Sequence, residues 1–430
     1  MNPGEVHDQL SGRRIRLEFG GNLMIQTEAY ATLGVLDSMD DDLLRTAACI
    51  YAADLGVRRQ EREQHLRTIN VQIPVVNLHA FARVKDFLEQ ALTTLTCDTW
   101  TVTFTPMTGP AEVARPWAKK NDSILLFSGG LDSFVGAVHL LKDDPKLVLV
   151  SHVTHNRPVS ASQSALAGLL SKKASPIHLQ VPVWCRNQGN RKFPSDGERE
   201  DTQRARSLLF TCLAAVAAHV QGSRRIVVMA ENGQFAIHLP LTEARIAAFS
   251  THTAHPKFLC QAEHIFRTVY NCPDLEVVNP FVNLTKGEVV ALLPKGLRPH
   301  IGRSVSCWRA SRLTSGFSHC GECVPCLSRR IAMETHGIKL AEYKRDLLIE
   351  NIGRLSAGDL GKRNLSDLCQ FVMHFAGPHR LKHDDELRMV FPELQDPIFN
   401  AKEVIAMYRR FAAETLTIFQ RYPQVAVLLK

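Results

Sequence analysis

No run in the 430 residues reaches the roughly 18 consecutive apolar residues that a membrane-spanning helix needs. The opening residues, MNPGEVHDQLSGRRIRLEF, lack the apolar core of a secretory leader. Both absences make the cytoplasm the expected location, with no membrane partner. Internal repeats and low-complexity segments are absent too. Two familiar phosphate signatures are missing. Without G-x-x-x-x-G-K-[ST], no lysine is set to reach a γ-phosphate, and without G-x-G-x-x-G a dinucleotide fold is unsupported.

What is present suits a globular enzyme. Hydrophobic residues make up 45% and charged residues 22%, enough for a full core without staples. The length suggests about two or three domains. A net charge of +8 fits a protein that handles phosphate, and fits an ordinary basic enzyme equally well. In a reducing compartment the 11 cysteines read as thiols or metal ligands rather than disulfides.

Three units are expected. Residues 1–115 read as an α/β accessory domain, with strands at Thr68–Val76 and Trp100–Met107 around a helical pattern, FARVKDFLEQALTTL. Thr108–Asp122, rich in Gly, Pro and charge, reads as a linker. Residues 116–335 alternate apolar strands (SILLF, Lys146–Val153, Pro176–Val183, Arg224–Ala230, Leu275–Pro280) with helices at Phe134–Leu141, Ser162–Ser171, Arg204–Val220 and Lys286–Leu293. Strands apolar on both faces and alternating with helices predict an α/β fold with a doubly wound parallel sheet. Polar Arg186–Arg206 interrupts the rhythm, as a substrate lid or a solvated insertion. Residues 336–430 read as a helical extension, including helices at Leu340–Leu355 and Ala401–Tyr422.

The chemistry concentrates in two places. SGGLDS (Ser128–Ser133) joins the first strand of the sheet to a helix. Its glycines let backbone N–H groups approach a ligand, and the helix N-terminus adds free N–H groups and positive dipole. Ser128 and Ser133 can donate to phosphate oxygens, and Asp132 can hold Mg²⁺ or orient the loop. A tight turn capped by Ser133 or Asp132 is the bland alternative. Farther on, Cys307, Cys320, Cys323 and Cys326 follow C-x₁₂-C-x₂-C-x₂-C, a thiolate set suited to tetrahedral structural Zn²⁺. An Fe–S cluster would use the same ligands. His319 is a conceivable substitute ligand. The flank Lys295–Arg312 carries five Lys/Arg and no acid, and suits phosphate, nucleic acid or solvent.

Ser128–Ser133 match the pyrophosphate loop of the N-type ATP pyrophosphatases. That resemblance implies cleavage between the α- and β-phosphates of ATP, adenylation of a substrate oxygen, and displacement of AMP by a nucleophile. It implies ATP contacts from Ser128, Gly129, Gly130, Leu131, Asp132 and Ser133. It also implies an adenine-side wall at the end of the second strand, with Ser151, His152 and His155.

SGGLDS, then NPFVNLTKGEVVALL, then the cysteine cluster together resemble the 7-cyano-7-deazaguanine synthase (QueC) family. Pro280, Thr285, Lys286 and Glu288 stand at the positions of that family's P-x-x-x-x-T-K-x-E stretch. The resemblance covers Ser123 to Ala332, about half of the chain. It implies Asp132 and Lys286 as catalytic residues, and Arg206, Glu231, Asn232 and Thr285 at the substrate. Arg206-Ser207 stands where the family usually has Arg-Asn, and Met229–Pro256 departs from an aspartate-containing loop. This longer form resembles the QueC-like proteins of bacterial anti-phage systems, of which the Qat system protein QatC is one.

The implied activity is an ATP-dependent ligase. It adenylates a 7-carboxy-7-deazaguanine-like carboxylate and forms an amide or nitrile with an amine. ATP brings Mg²⁺, and the acceptor is ammonia or a partner protein of a defence operon. The alternatives are the ammonia-using queuosine-pathway synthase, a tRNA-modifying enzyme of the same fold, and a nucleotide sensor without turnover. Direct nucleic-acid binding is not expected, and a dimer is compatible with the sequence.

Overall fold

The computed structural model describes residues 3–59, 66–109, 117, 119–153, 156–227, 230–242, 253–313, 316–338 and 343–429. In chain order the N-terminal elements are β1 (Gly4–Asp8), β2 (Arg14–Leu17), β3 (Leu23–Ile25), α1 (Ser38–Gly56), β4 (Thr68–Val75), α2 (Leu78–Thr96) and β5 (Thr99–Pro106). The middle of the chain forms β6 (Lys119–Leu126), α3 (Leu131–Leu140), β7 (Val148–Val153), α4 (Arg157–Leu170), β8 (Ile177–Cys185), α5 (Arg206–Gln221) and β9 (Ser223–Val227). It continues with α6 (Gly233–Ile237), α7 (Pro256–Val269), β10 (Glu276–Val278), α8 (Lys286–Ala291) and α9 (Val324–Thr335). The C-terminal helices are α10 (Leu360–Phe375), α11 (Asp384–Val390), α12 (Ala401–Phe419) and α13 (Pro423–Ala426). Among the described residues, no helix is long and apolar enough to cross a membrane.

Two sheets form. The first has the order β2-β1-β4-β5, with β4 and β5 parallel and joined through α2. The second has the order β10-β9-β6-β7-β8-β3. Its first five strands are parallel. β3 closes the edge antiparallel to β8. The chain runs outward from β6 through β7 to β8, then crosses back to place β9 on the other side of β6. Ligands bind such sheets at this switch, beyond the carboxyl ends of the two central strands. The loops after β6 and β9 begin at Phe127 and near Ala230, and they carry the glycine loop and Glu231-Asn232.

The N-terminal segment is tied into the second sheet. β3 comes from that segment, and one continuous core runs from Val6 and Ile50 to Leu209, Val150 and Val277. Polar anchors reinforce the joint. Asp40 on α1 accepts hydrogen bonds from His219 Nδ1 at 2.8 Å and Tyr270 Oη at 3.0 Å. Buried Arg67 binds Asp54 at 2.5 Å and Asp98 at 2.6 Å. Asp54 in turn accepts the Ala205 N–H at 2.8 Å, at the threshold of α5.

Several expectations change. Residues 119–122 belong to β6 rather than to a linker, while 110–116 and 118 lie outside the described residues. The polar stretch 186–206 is mostly exposed, over 186–192 and 195–198, and is pinned to the body at Phe193, Pro194 and Glu200. Glu200 accepts the Arg59 N–H at 2.9 Å, and its own N–H reaches Leu55 O at 2.9 Å. The helix expected over 340–355 does not form in its described part, which holds turns and a short 3₁₀ segment at Ile352–Arg354. Tertiary contacts outweigh helical spacing there. Lys344 N–H bonds His319 O at 3.0 Å, and Arg345 gathers Glu322, Glu350 and Asp359. The last long helix ends at Phe419, ahead of Pro423.

Candidate functional site

The glycine loop is built as a cradle. Gly129 has φ +78°, a conformation that favours glycine, and a Cβ there would press on Gln163 and Ser162. Its carbonyl is held from two sides, by Ser162 Oγ at 2.7 Å and by Val305 N at 3.0 Å. Ser128 Oγ lies 3.1 Å from Ser133 Oγ and accepts the Gly130 N–H at 3.2 Å. Ser133 Oγ donates to Gly130 O at 3.1 Å. α3 then starts at Leu131 with no side-chain cap, so its first N–H groups are open to an anion.

Asp132, in the first turn of α3, meets Lys286 from the start of α8. Lys286 Nζ donates to Asp132 Oδ2 at 2.6 Å, and the two side chains are 4% and 14% exposed. Asp132 Oδ1 is buried without a partner among the described residues. Glu231 sits close enough to feel both charges. Burial first, and then Asp132, raise its carboxyl to about 7, against a smaller lowering by Lys286. Asn279 Nδ2 holds the Glu231 carbonyl at 2.7 Å. Asn232 is fully buried, and neither side-chain polar atom has a partner among the described residues. Buried amides are normally paired, so such an orphan marks a place for ligand contact.

Beside the loop lies a cleft of about 420 Å³, lined by Ser128, His152, Gln163, Arg206 and Phe210 among others. His152 Nε2 is 3.1 Å from Val183 O. A carbonyl only accepts, so Nε2 carries the proton and Nδ1 is a lone-pair acceptor without a partner among the described residues. Burial, then Arg206, lower this imidazole to about 3, which keeps it neutral at physiological pH. Arg206 stands over the Phe210 ring at 4.9 Å, and no carboxylate pairs with it among the described residues. Tyr51 of α1 packs edge-on against His152 at 5.8 Å, so the N-terminal segment backs this wall.

Not every expected residue takes part. Ser151 is 1% exposed and donates to Phe127 O at 2.6 Å, so it braces the sheet instead of facing the cleft. Thr285 is the N-cap of α8 and accepts the Glu288 N–H at 3.0 Å. Its hydroxyl also donates to Glu414 Oε1 of α12 at 2.8 Å, leaving it no donor for a substrate. Burial raises Glu414 to about 7. Ser207 pairs with Thr253 at 2.8 Å. His155, Met229, Thr251 and His252 lie outside the described residues. Ser162, Gln163, Val305 and Tyr51 carry no motif spacing, and only packing brings them to the site.

The four cysteines converge as their spacing suggests. Their sulfurs lie within 4.8 Å of one another and are buried. Cys320 and Cys326 Sγ are 3.8 Å apart, the separation that a tetrahedron with Zn–S of about 2.3 Å requires. Backbone N–H groups point at the sulfurs, from Cys320 and Arg309 to Cys307 Sγ and from Cys323 to Cys320 Sγ. Gly321, at φ +82°, passes so close to Arg345 O that a Cβ would overlap it. His319 is no ligand; its Nε2 accepts the Ser306 N–H at 3.2 Å. The knot supports the loop directly. Arg329 of α9 binds Ile301 O and Ser304 Oγ at 2.9 Å, and Val305 in that same segment clamps Gly129. In the basic flank, Arg309 pairs with Glu322 and Arg312 with Asp201.

Residues 122–337 match the model of the family described as Queuosine biosynthesis protein QueC. The chain is 23% identical over 232 residues to a protein of Mesorhizobium japonicum named 7-cyano-7-deazaguanine synthase 1, covering 50% of this chain and 90% of that protein. It is 23% identical over 245 residues to the 7-cyano-7-deazaguanine synthase of Saccharolobus solfataricus, covering 51% of this chain and 47% of that protein.

Proposed function

The chain belongs to the QueC family, and from that premise we propose that it is an ATP-dependent ligase acting on a 7-deazapurine carboxylate. The observation that carries the reading is the buried Asp132–Lys286 pair at the mouth of the glycine loop. ATP enters with its adenine in the His152–Phe210 cleft and its phosphates against Ser128–Ser133. The neutral His152 offers Nδ1 as an acceptor to an exocyclic amine. Asp132 Oδ1, unpartnered among the described residues, would hold Mg²⁺, and the ion would supply charge neutralisation for the departing pyrophosphate.

The substrate carboxylate oxygen attacks the α-phosphorus, and the bond to the bridging oxygen of the β-phosphate breaks. Lys286 and the N–H groups of α3 are placed to hold the charge that collects on pyrophosphate. An amine nitrogen then attacks the acyl carbon, and the carbon–oxygen bond to AMP breaks. Glu231, with a carboxyl at about 7, is poised to take the proton that the amine sheds. The cysteine set would hold Zn²⁺ as a cross-link outside the chemistry.

Both flanks of the family match, residues before 122 and after 337, pack around the site, Tyr51 behind His152 and Glu414 on the N-cap of α8. For the acceptor we favour an amine on a partner protein of an anti-phage system. The test is pyrophosphate release with 7-carboxy-7-deazaguanine, offered with ammonia and with co-expressed neighbouring gene products. Mass spectrometry reads the product. A deazapurine amide on a protein supports the full reading, and a free nitrile places the chain with the ammonia-using synthases. Absence of ATP-dependent turnover with every acceptor refutes ligase activity.

A further inference from the structure

Near Lys286 lies a second, more apolar chamber, partly open to solvent. Phe235, Leu239 and Trp308 form one wall, and Leu368, Phe371 and Phe411 of α10 and α12 form the other. The family match ends at residue 337, so Leu368, Phe371, Tyr408 and Phe411 in this lining come from helices beyond it. The chamber adjoins the reacting pair, because the Phe235 ring centre is 5.4 Å from Lys286 Nζ.

One polar group in this lining stands out. Gln234 is 8% exposed, and its Oε1 accepts the Lys286 N–H at 3.0 Å. That bond fixes the amide orientation and makes Nε2 the outward donor. Nε2 is buried without a partner among the described residues. An unmet buried donor costs about 1–3 kcal/mol, which a ligand acceptor would recover. Tyr408 steadies the segment, since its hydroxyl donates to Gln234 O at 3.3 Å and accepts the Leu239 N–H at 3.1 Å.

We infer that this chamber holds the heterocycle of the acid substrate, with Gln234 Nε2 donating to one of its edge acceptors and its carboxylate directed at Lys286. The inference rests on the proposed ligase reading. A flat bicyclic base suits aromatic walls, which offer ring faces for stacking. A donor held in one orientation within a mainly apolar lining selects one edge of such a base. Adenine has its own cleft beside the glycine loop, so the two rings do not compete.

The test combines ATP–pyrophosphate exchange with tryptophan fluorescence, using 7-carboxy-7-deazaguanine as the probe. Gln234→Leu is expected to raise KM for the acid about ten-fold, the effect of one lost hydrogen bond, with KM for ATP unchanged. Phe411→Trp, which fills the chamber, is expected to do the same. Acid binding should quench wild-type fluorescence, and Trp308→Phe should abolish that quench. If Phe411→Trp fails to fold, the other two variants carry the test. Wild-type exchange with acid KM unchanged in Gln234→Leu and the quench unchanged in Trp308→Phe overturns the chamber and leaves the ligase standing. A rise confined to the KM of the amine acceptor also overturns it, by giving the chamber to the acceptor. No exchange by wild type with any deazapurine acid sinks both.

Discussion

Truncating the Asp132–Lys286 pair separates what the pair does for folding from what it does for turnover. Its atoms are 2.6 Å apart, with Lys286 4% and Asp132 14% exposed. At an effective dielectric of about 20, unit charges that close attract by about 6 kcal/mol. Desolvation offsets much of this, and stranding one member of a buried pair costs about 3–5 kcal/mol. Asp132 keeps some exposure, so the low end applies. Asp132→Ala and Lys286→Ala are each expected to lose about 3 kcal/mol in urea unfolding. The double variant strands no charge, and should lose less than the sum by about 2 kcal/mol. Turnover should behave differently. Pyrophosphate release falls about a hundred-fold or more in each single variant and does not return in the double. Additive stability losses would show that the ions act independently. Recovered turnover in the double variant would show that the pair serves only the fold.

Cys323→Ser should bind less zinc, melt at a lower temperature and show a higher KM for ATP, because the knot braces Val305 against Gly129; wild-type melting with wild-type zinc content would count against it. Burial raises the Glu231 carboxyl from 4.5 to about 7, so the stability present below its unfolded value is lost as pH climbs through about 7. Glu231→Gln should therefore be more stable than wild type by about 1–3 kcal/mol near pH 8 and indistinguishable near pH 4. A difference that stays flat across that window contradicts the assignment. Arg67→Ala removes the ion-pair partner of Asp54, while Asp98 keeps Arg59, and should cost about 3–5 kcal/mol in chemical denaturation. It should also raise KM for ATP, since Asp54 anchors the start of α5 ahead of Arg206; normal kinetics in a folded variant would show that the anchor does not reach the site.

The parallel strands were legible because each is a short apolar run between helical patterns, and the burial of β7 on both faces bears that out. The cysteine knot was legible because two C-x₂-C steps leave thiolates little choice of geometry. The helix expected near 340–355 failed where local spacing met a stronger tertiary demand, the docking of Arg345 on Glu322, Glu350 and Asp359. Thr285 shows a related effect. Its motif position places it beside Lys286, yet its hydroxyl is already engaged by Glu288 and Glu414.

By itself the sequence determined the glycine loop, the zinc-type ligand set, the order of strands and helices, and the family. Each of these is local: a turn, a spacing or a period encodes it within a few dozen residues. Only the tertiary structure decided that Asp132 and Lys286, 154 residues apart, form one ion pair. It also decided that the segment ahead of the cysteine cluster clamps the loop, that Tyr51 of α1 packs behind His152, and that α10 and α12 help wall the second cleft. Those contacts depend on which faces meet when the sheet winds around β6, and no short-range pattern in the chain records that meeting.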